Sequence, residues 1–208
     1  MSLIITIIPI FILLIANEFW WRKRRIHSEL SRKFIHITVG SYVAFWPYYL
    51  SWRQIELLGV AFILVVSLSK YLKLFKAIHS VQRPTQGELF FALSIVLIAL
   101  LTKDKWIYTA AILQMAIADG LAGVIGEKYG KRQNYLVLNH TKSVIGTLTF
   151  FISSFLILIA VNSAEHLHLN LIWVVFVSAI ASTLENFSAL GLDNLLIPLA
   201  VALFLIYR

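Results

Sequence analysis

The sequence predicts an all-α, polytopic integral membrane bundle with about eight transmembrane helices (seven to nine at the limits). Three observations predict it. The chain of 208 residues is 60% apolar, with a mean hydropathy of +0.83. Its apolar stretches recur at membrane length, since a hydrocarbon core of about 30 Å takes on the order of 20 helical residues. Its charged and amide side chains gather at connections that all fall on one side of those stretches.

Taken in order, the apolar segments run over roughly 3–20, 34–50, 54–72, 88–102, 106–126, 143–161, 171–185 and 193–207. Pro47 interrupts the second and Pro198 the last, which helices in lipid tolerate because neighbours satisfy the freed backbone groups. The alternating pattern of a membrane barrel is absent. The first segment lacks the basic leader of a cleaved signal, and Trp20, Trp21, Arg22, Lys23, Arg24 and Arg25 anchor its inner end. With eight spans in 208 residues, the sequence predicts one membrane domain over 1–208.

The basic residues set the expected orientation. With both termini outside the cell, the inward connections carry Arg22, Lys23, Arg24, Arg25, Arg32, Lys33, Lys70, Lys73, Lys76, Arg83, Lys128, Lys131, Arg132 and Lys142. Only Arg53, Lys103, Lys105 and Arg208 remain outside, so 14 of the 18 basic residues obey the positive-inside rule. The implied location is the inner membrane of the cell, with the polar clusters facing the cytoplasm. The net charge of +8 is then explained by topology and an anionic leaflet, and nucleic-acid binding is excluded as a partner class. The absence of cysteine excludes disulfides, thiolate metal sites and cysteine nucleophiles.

Four clusters could carry chemistry. Arg32, Lys33 and His36 open the second segment on one helix face, either as phosphate ligands or as interfacial side chains beside a helix-end histidine. Arg83 and Glu88 flank the entry to the fourth segment; Glu88 suits a helix N-terminus and Arg83 a phosphate contact. Asp119 lies about two turns inside the cytosolic end of the fifth segment, where a carboxylate normally marks a site. Asp119, Gly123 and Gly126 share a face bare of side chains, which a polyphosphate or a second helix could approach closely.

Downstream come Gly130, Lys131 and Arg132, then Lys142, Ser143 and Gly146. Gly126 to Lys131 approaches a P-loop in spacing but is one residue short, lacks the Ser/Thr and follows an apolar helix, so that motif is rejected. Lys142 with Ser143 at the start of the sixth segment makes a better anion site, a lysine beside helix amides. The last cluster holds Glu185, Ser188, Asp193 and Asn194. Capping accounts for Asp193 or Asn194, but not for Glu185 inside an apolar stretch. Asp119, Glu185 and Asp193 form the expected metal set, since carboxylates converging on a phosphate-binding face suit a hard cation such as Mg²⁺.

In order, Arg32-Lys33-x-x-His36, Arg83-x-Thr85-x-Gly87-Glu88, Asp119-Gly120-x-Ala122-x-x-x-Gly126-x-x-x-Gly130, Lys142-Ser143-x-x-Gly146 and Glu185-x-x-Ser188-x-x-Gly191-x-Asp193-Asn194-x-x-x-Pro198 resemble the polyprenol kinase family. That family includes dolichol, phytol and farnesol kinases and a CTP-dependent diacylglycerol kinase. The short chain is similar in size to phytol kinases. The resemblance implies a kinase that phosphorylates the hydroxyl of a membrane isoprenoid alcohol, with CTP as phosphoryl donor and Mg²⁺ or another divalent cation. It implies catalytic roles for Asp119, Lys142, Glu185 and Asp193, with Arg32, Lys33 and Lys142 on the phosphates.

Alternatives remain at this level. A CTP-using diacylglycerol kinase or a cytidylyltransferase making a CDP-lipid would share donor, metal and glycine-lined helix. A CDP-alcohol phosphotransferase lacks its two further aspartates after Asp119-Gly120. A small transporter would use Asp119 and Glu185 as relays, but the outer connections offer no matching polar cluster. The alcohol, the proton acceptor and the oligomeric state stay open.

Overall fold

The computed structural model describes residues 3–24, 28–72, 86–138, 140–165 and 168–208. Among them are eight helices: α1 (Leu3–Arg24), α2 (Ser28–Ala44), α3 (Trp52–Tyr71), α4 (Gly87–Leu101), α5 (Lys105–Tyr129), α6 (Val144–Glu165), α7 (Leu171–Phe187) and α8 (Asp193–Ile206). Each predicted apolar segment coincides with one of them. Pro47 does not kink a long second helix; α2 ends at Ala44 and Pro47 sits in a short 3₁₀ turn, Trp46–Tyr48. Pro198 stays inside a continuous α8.

Local chemistry explains the helix starts. Asp104 caps α5, its carboxylate accepting from the backbone N–H groups of Trp106 at 2.8 Å and Ile107 at 3.2 Å. Asn170 caps α7 through Trp173 N–H at 2.7 Å, and Ser143 Oγ caps α6 through Gly146 N–H at 3.0 Å. Between α7 and α8 the chain reverses through Leu190 and Gly191, both at positive φ. The glycine supplies that conformation without steric cost.

The all-α expectation holds, with two local departures from plain α-helix. The loop after α5 folds into a two-stranded antiparallel hairpin, β1 (Asn134–Val137) and β2 (His140–Ser143). Lys142 and Ser143 therefore sit on a strand leading into α6, not in the first turn of the helix. Within α5 the segment Gln114–Asp119 is wound as a π-helix. Six residues at that wider pitch turn about as far as five in an α-helix, so the face bearing Asp119, Gly123 and Gly126 is displaced by about 100° from straight α periodicity.

Helix α5 is central, packed by α2, α6 and α8, while α3 lies against α4. The core where these meet includes Ile95, Tyr108, Ile112, Met115, Phe150 and Ile197, all fully buried. The outer surface is apolar too: Ile12, Leu64, Leu156 and Ile172 are each more than half exposed. A water-soluble fold would not leave such faces bare, and lipid is the solvent that suits them. Among the described residues three helical stretches are long and apolar enough to cross a bilayer: Trp52–Ser69, Lys105–Tyr129 and Val144–Ala164. Ile5–Trp20, Gly87–Leu101, Leu171–Phe187 and Asp193–Ile206 are apolar but shorter.

Candidate active site

Two ion pairs, one buried and one half-buried, form at the end of the bundle where α2, α5, the hairpin and α7 meet. On α2, Lys33 reaches α5 and its ammonium donates to Asp119 Oδ2 at 2.8 Å. Both side chains are nearly enclosed, at 11% and 6% exposure. Gly123 makes room for it: a Cβ there would lie 2.6 Å from Lys33 Cε. One turn along α2, His36 Nε2 lies 2.9 Å from the Met115 carbonyl inside the π-wound segment and 3.6 Å from Asp119 Oδ2. A carbonyl only accepts, so Nε2 carries the proton.

The second pair joins the hairpin to α7. Lys142 donates to Glu185 Oε1 at 2.5 Å and to the Glu185 carbonyl at 2.8 Å. Glu185 and Asp193 both lie within electrostatic range of Asp119, Lys33 and Lys142. The structure thus gathers into one charged centre five residues drawn from four separate motifs. Buried charges of this kind are costly unless paired.

The remaining candidates fall nearby in different roles. Asn194 Nδ2 donates to the Gly87 carbonyl at 3.0 Å, tying α8 to the start of α4 beside Glu88. Ser188 Oγ donates back to the Leu184 carbonyl at 2.6 Å and finishes α7. Arg32 lines a neighbouring space together with His36 and Glu88. The glycine stripe meets protein: a Cβ on Gly126 would come within 2.9 Å of Ser143 Oγ and 3.1 Å of Gly146 Cα. Gly130 packs against Ser143. The stripe lets α5, α6 and the hairpin close together, which sets where Lys142 stands. Arg83 lies outside the described residues, as does the side chain of Lys131.

Sequence reasoning passed over one group. The hydroxyls of Tyr135 on β1 and Thr147 on α6 stand within hydrogen-bond reach of each other and of Asn186 Oδ1, at 2.6 Å and 3.0 Å from that oxygen, and their two hydrogens serve two of the three contacts at a time. This network fastens the hairpin to α6 and α7 and so holds Lys142 over Glu185. An amide immediately after Glu185 in an apolar helix was the available signal.

Among the described residues no three histidines or carboxylates stand close enough to hold a metal ion by themselves. Asp119, Glu185 and Asp193 share one centre without forming a single cage. That donor set fits Mg²⁺ arriving with a nucleotide, because such an ion is commonly held by one or two carboxylates plus the substrate phosphates.

A phytol kinase of Synechocystis is 38% identical over 183 residues, 85% of this chain and 78% of its own length. A protein of Glycine max described as probable phytol kinase 1, chloroplastic, is 26% identical over 203 residues, 86% of this chain and 67% of its own. A probable phytol kinase, chloroplastic, of Zea mays is 25% identical over 205 residues, 87% and 67% respectively. No family model matches the chain, and no solved structure matches it. Helices bare to lipid, a buried centre of lysines and carboxylates, and these relatives define a membrane kinase whose acceptor is an alcohol. The chain belongs to the phytol kinase family.

Proposed function

We propose that the protein transfers the γ-phosphoryl group of CTP to the hydroxyl of an isoprenoid alcohol of the phytol type, at the cytoplasmic face of the membrane. The observation that carries this reading is the pair of lysines, buried Lys33 and half-buried Lys142, each held by a carboxylate within range of the other. Phosphoryl transfer asks mainly for positioning and for charge to offset the phosphates. Lys33, Lys142 and Arg32 would turn to the phosphate oxygens. Asp119, with Asp193 or Glu185, would hold the divalent ion, which when bound neutralises charge building on the bridging and leaving oxygens.

In that step the alcohol oxygen bonds to the γ-phosphorus and the bond from the γ-phosphorus to the β-phosphate oxygen breaks. The nucleoside diphosphate leaves, and the hydroxyl proton passes to a carboxylate freed from its lysine. CTP, rather than another nucleotide, is the donor that the family resemblance implies. Phytol as acceptor is supported by the names of the relatives.

The test is purified protein in nanodiscs, offered each of the four γ-labelled ribonucleoside triphosphates with phytol, farnesol, a long polyprenol or diacylglycerol. Labelled lipid phosphate and released CDP, with phytol or another prenol preferred, bear the reading out. Release of diphosphate from CTP would show nucleotidyl transfer instead, and preference for diacylglycerol would replace the acceptor.

A further inference from the structure

Beside the charged centre lies a groove between α1, α2, α3 and α4. Its walls are apolar: Leu14 on α1, Val39 on α2, Phe62 and Val66 on α3. The same two helices, α1 and α3, turn Ile15 and Leu64 outward, 61% and 66% exposed, onto the lipid-facing surface. At its polar end stand His36, the residue 3.6 Å from Asp119, and Asn194.

Asn194 makes the end of this space selective. It is 3% exposed, and its Nδ2 is committed to the Gly87 carbonyl. Its Oδ1 is buried with no hydrogen-bond partner among the described residues. A buried carbonyl oxygen calls for a donor. The fitting ligand is therefore an apolar chain ending in a group that can donate. An ionised fatty acid offers that oxygen nothing; an alcohol does.

We propose that this groove is the acceptor site: the single chain of a prenol lies between α1, α2 and α3, and its hydroxyl donates to Asn194 Oδ1 beside His36. The inference rests on the prenol-kinase reading and adds where the acceptor binds. It explains why His36 and Asn194, from distant parts of the chain, line one groove. At transfer the hydroxyl turns its hydrogen from Asn194 to the carboxylate that takes the proton, and its oxygen bonds to the phosphorus.

Two measurements test it on the full chain in nanodiscs. In the first, a phytol analogue bearing a terminal diazirine is photolysed without nucleotide, and labelled residues are mapped. Labelling on the groove faces of α1 and α3 is expected. Phytol should compete it away, while phytol O-methyl ether, with the same chain and no hydroxyl proton, should compete at least about tenfold less well. In the second, Leu14→Trp and Val66→Trp narrow the groove from two sides, Leu14 being on the outer helix where bulk is tolerated. Each should raise the KM for phytol about tenfold, shift preference toward the shorter prenol geraniol and leave the KM for nucleotide unchanged. Leu156→Trp, on the lipid-facing side of α6, should change neither. Labelling elsewhere, equal competition by the ether, or a rise in nucleotide KM matching that for phytol would overturn the assignment. Should the wild type phosphorylate no prenol with any nucleotide, the kinase reading falls, and the labelling still decides whether the groove holds an alcohol.

Discussion

Lys33 and Asp119 stand 86 positions apart in the chain and 2.8 Å apart in space. Removing one member of such a buried pair strands the other, at a cost of about 3–5 kcal/mol. Asp119→Asn should therefore lower the melting temperature in detergent as well as abolish turnover. Adding Lys33→Met removes the stranded ammonium, and the double variant should regain most of the lost stability. Activity should stay absent, because neither metal ligand nor phosphate partner returns; an active double variant would reduce the pair to a structural role. Lys142 offers a second comparison at this scale. Lys142→Ala should depress kcat/KM for nucleotide about 100-fold or more, as loss of a fixed donor to transition-state charge does. Lys103 pairs with Glu56 at the exposed far end of α3 and α4, and Lys103→Ala should shift rates by less than about twofold, since exposed pairs contribute little. Equal losses at the two positions would strip Lys142 of its special place.

At the scale of elements, the site depends on how closely α5 and α6 approach. Gly126 and Gly146 face one another across that crossing, and a Cβ at Gly146 would meet Ser143 Oγ at 2.9 Å and the Ala122 carbonyl at 3.3 Å. One of those neighbours is backbone and the other caps α6, so neither yields cheaply. Gly146→Val should cost about 1–3 kcal/mol through overpacking. It should also cost turnover, because the displaced strand carries Lys142. Leu148→Ala, two residues on and facing outward, is the matched control and should leave turnover intact. Unchanged melting and activity in Gly146→Val would mean that the crossing is looser than it is drawn here.

At the scale of the molecule, the charged centre and the groove share one end of the bundle. That end carries Lys128, Arg132 and Lys142, which the positive-inside rule assigns to the cytoplasm. The protein has no cysteine of its own, so a single exposed one reports cleanly. Arg132→Cys, in the exposed turn after α5, should react with an impermeant maleimide in inverted vesicles and not in intact cells. Labelling from outside the cell would overturn both the orientation and the cytoplasmic site.

The helices were legible in the sequence because span length and hydropathy are local properties. Each apolar segment overlaps a helix, with a cap such as Asp104 or Asn170 fixing some starts and the breaker Pro47 lying beyond the early end of α2. The charged centre was legible as a set of residue types, because a carboxylate such as Asp119 or Glu185 in an apolar stretch is expensive wherever the chain folds. Which lysine meets which carboxylate was not legible, since Lys33–Asp119 and Lys142–Glu185 join residues 86 and 43 positions apart. The π-wound segment evaded a 3.6-residue period by its nature, and the hairpin that carries Lys142 is too short for alternation to reveal. The glycines announced close approach but not to what. Tertiary packing set Lys33, Ser143 and Gly146 against them, and only that packing leaves Asn194, in the lining of an apolar groove, with a buried oxygen unpartnered among the described residues.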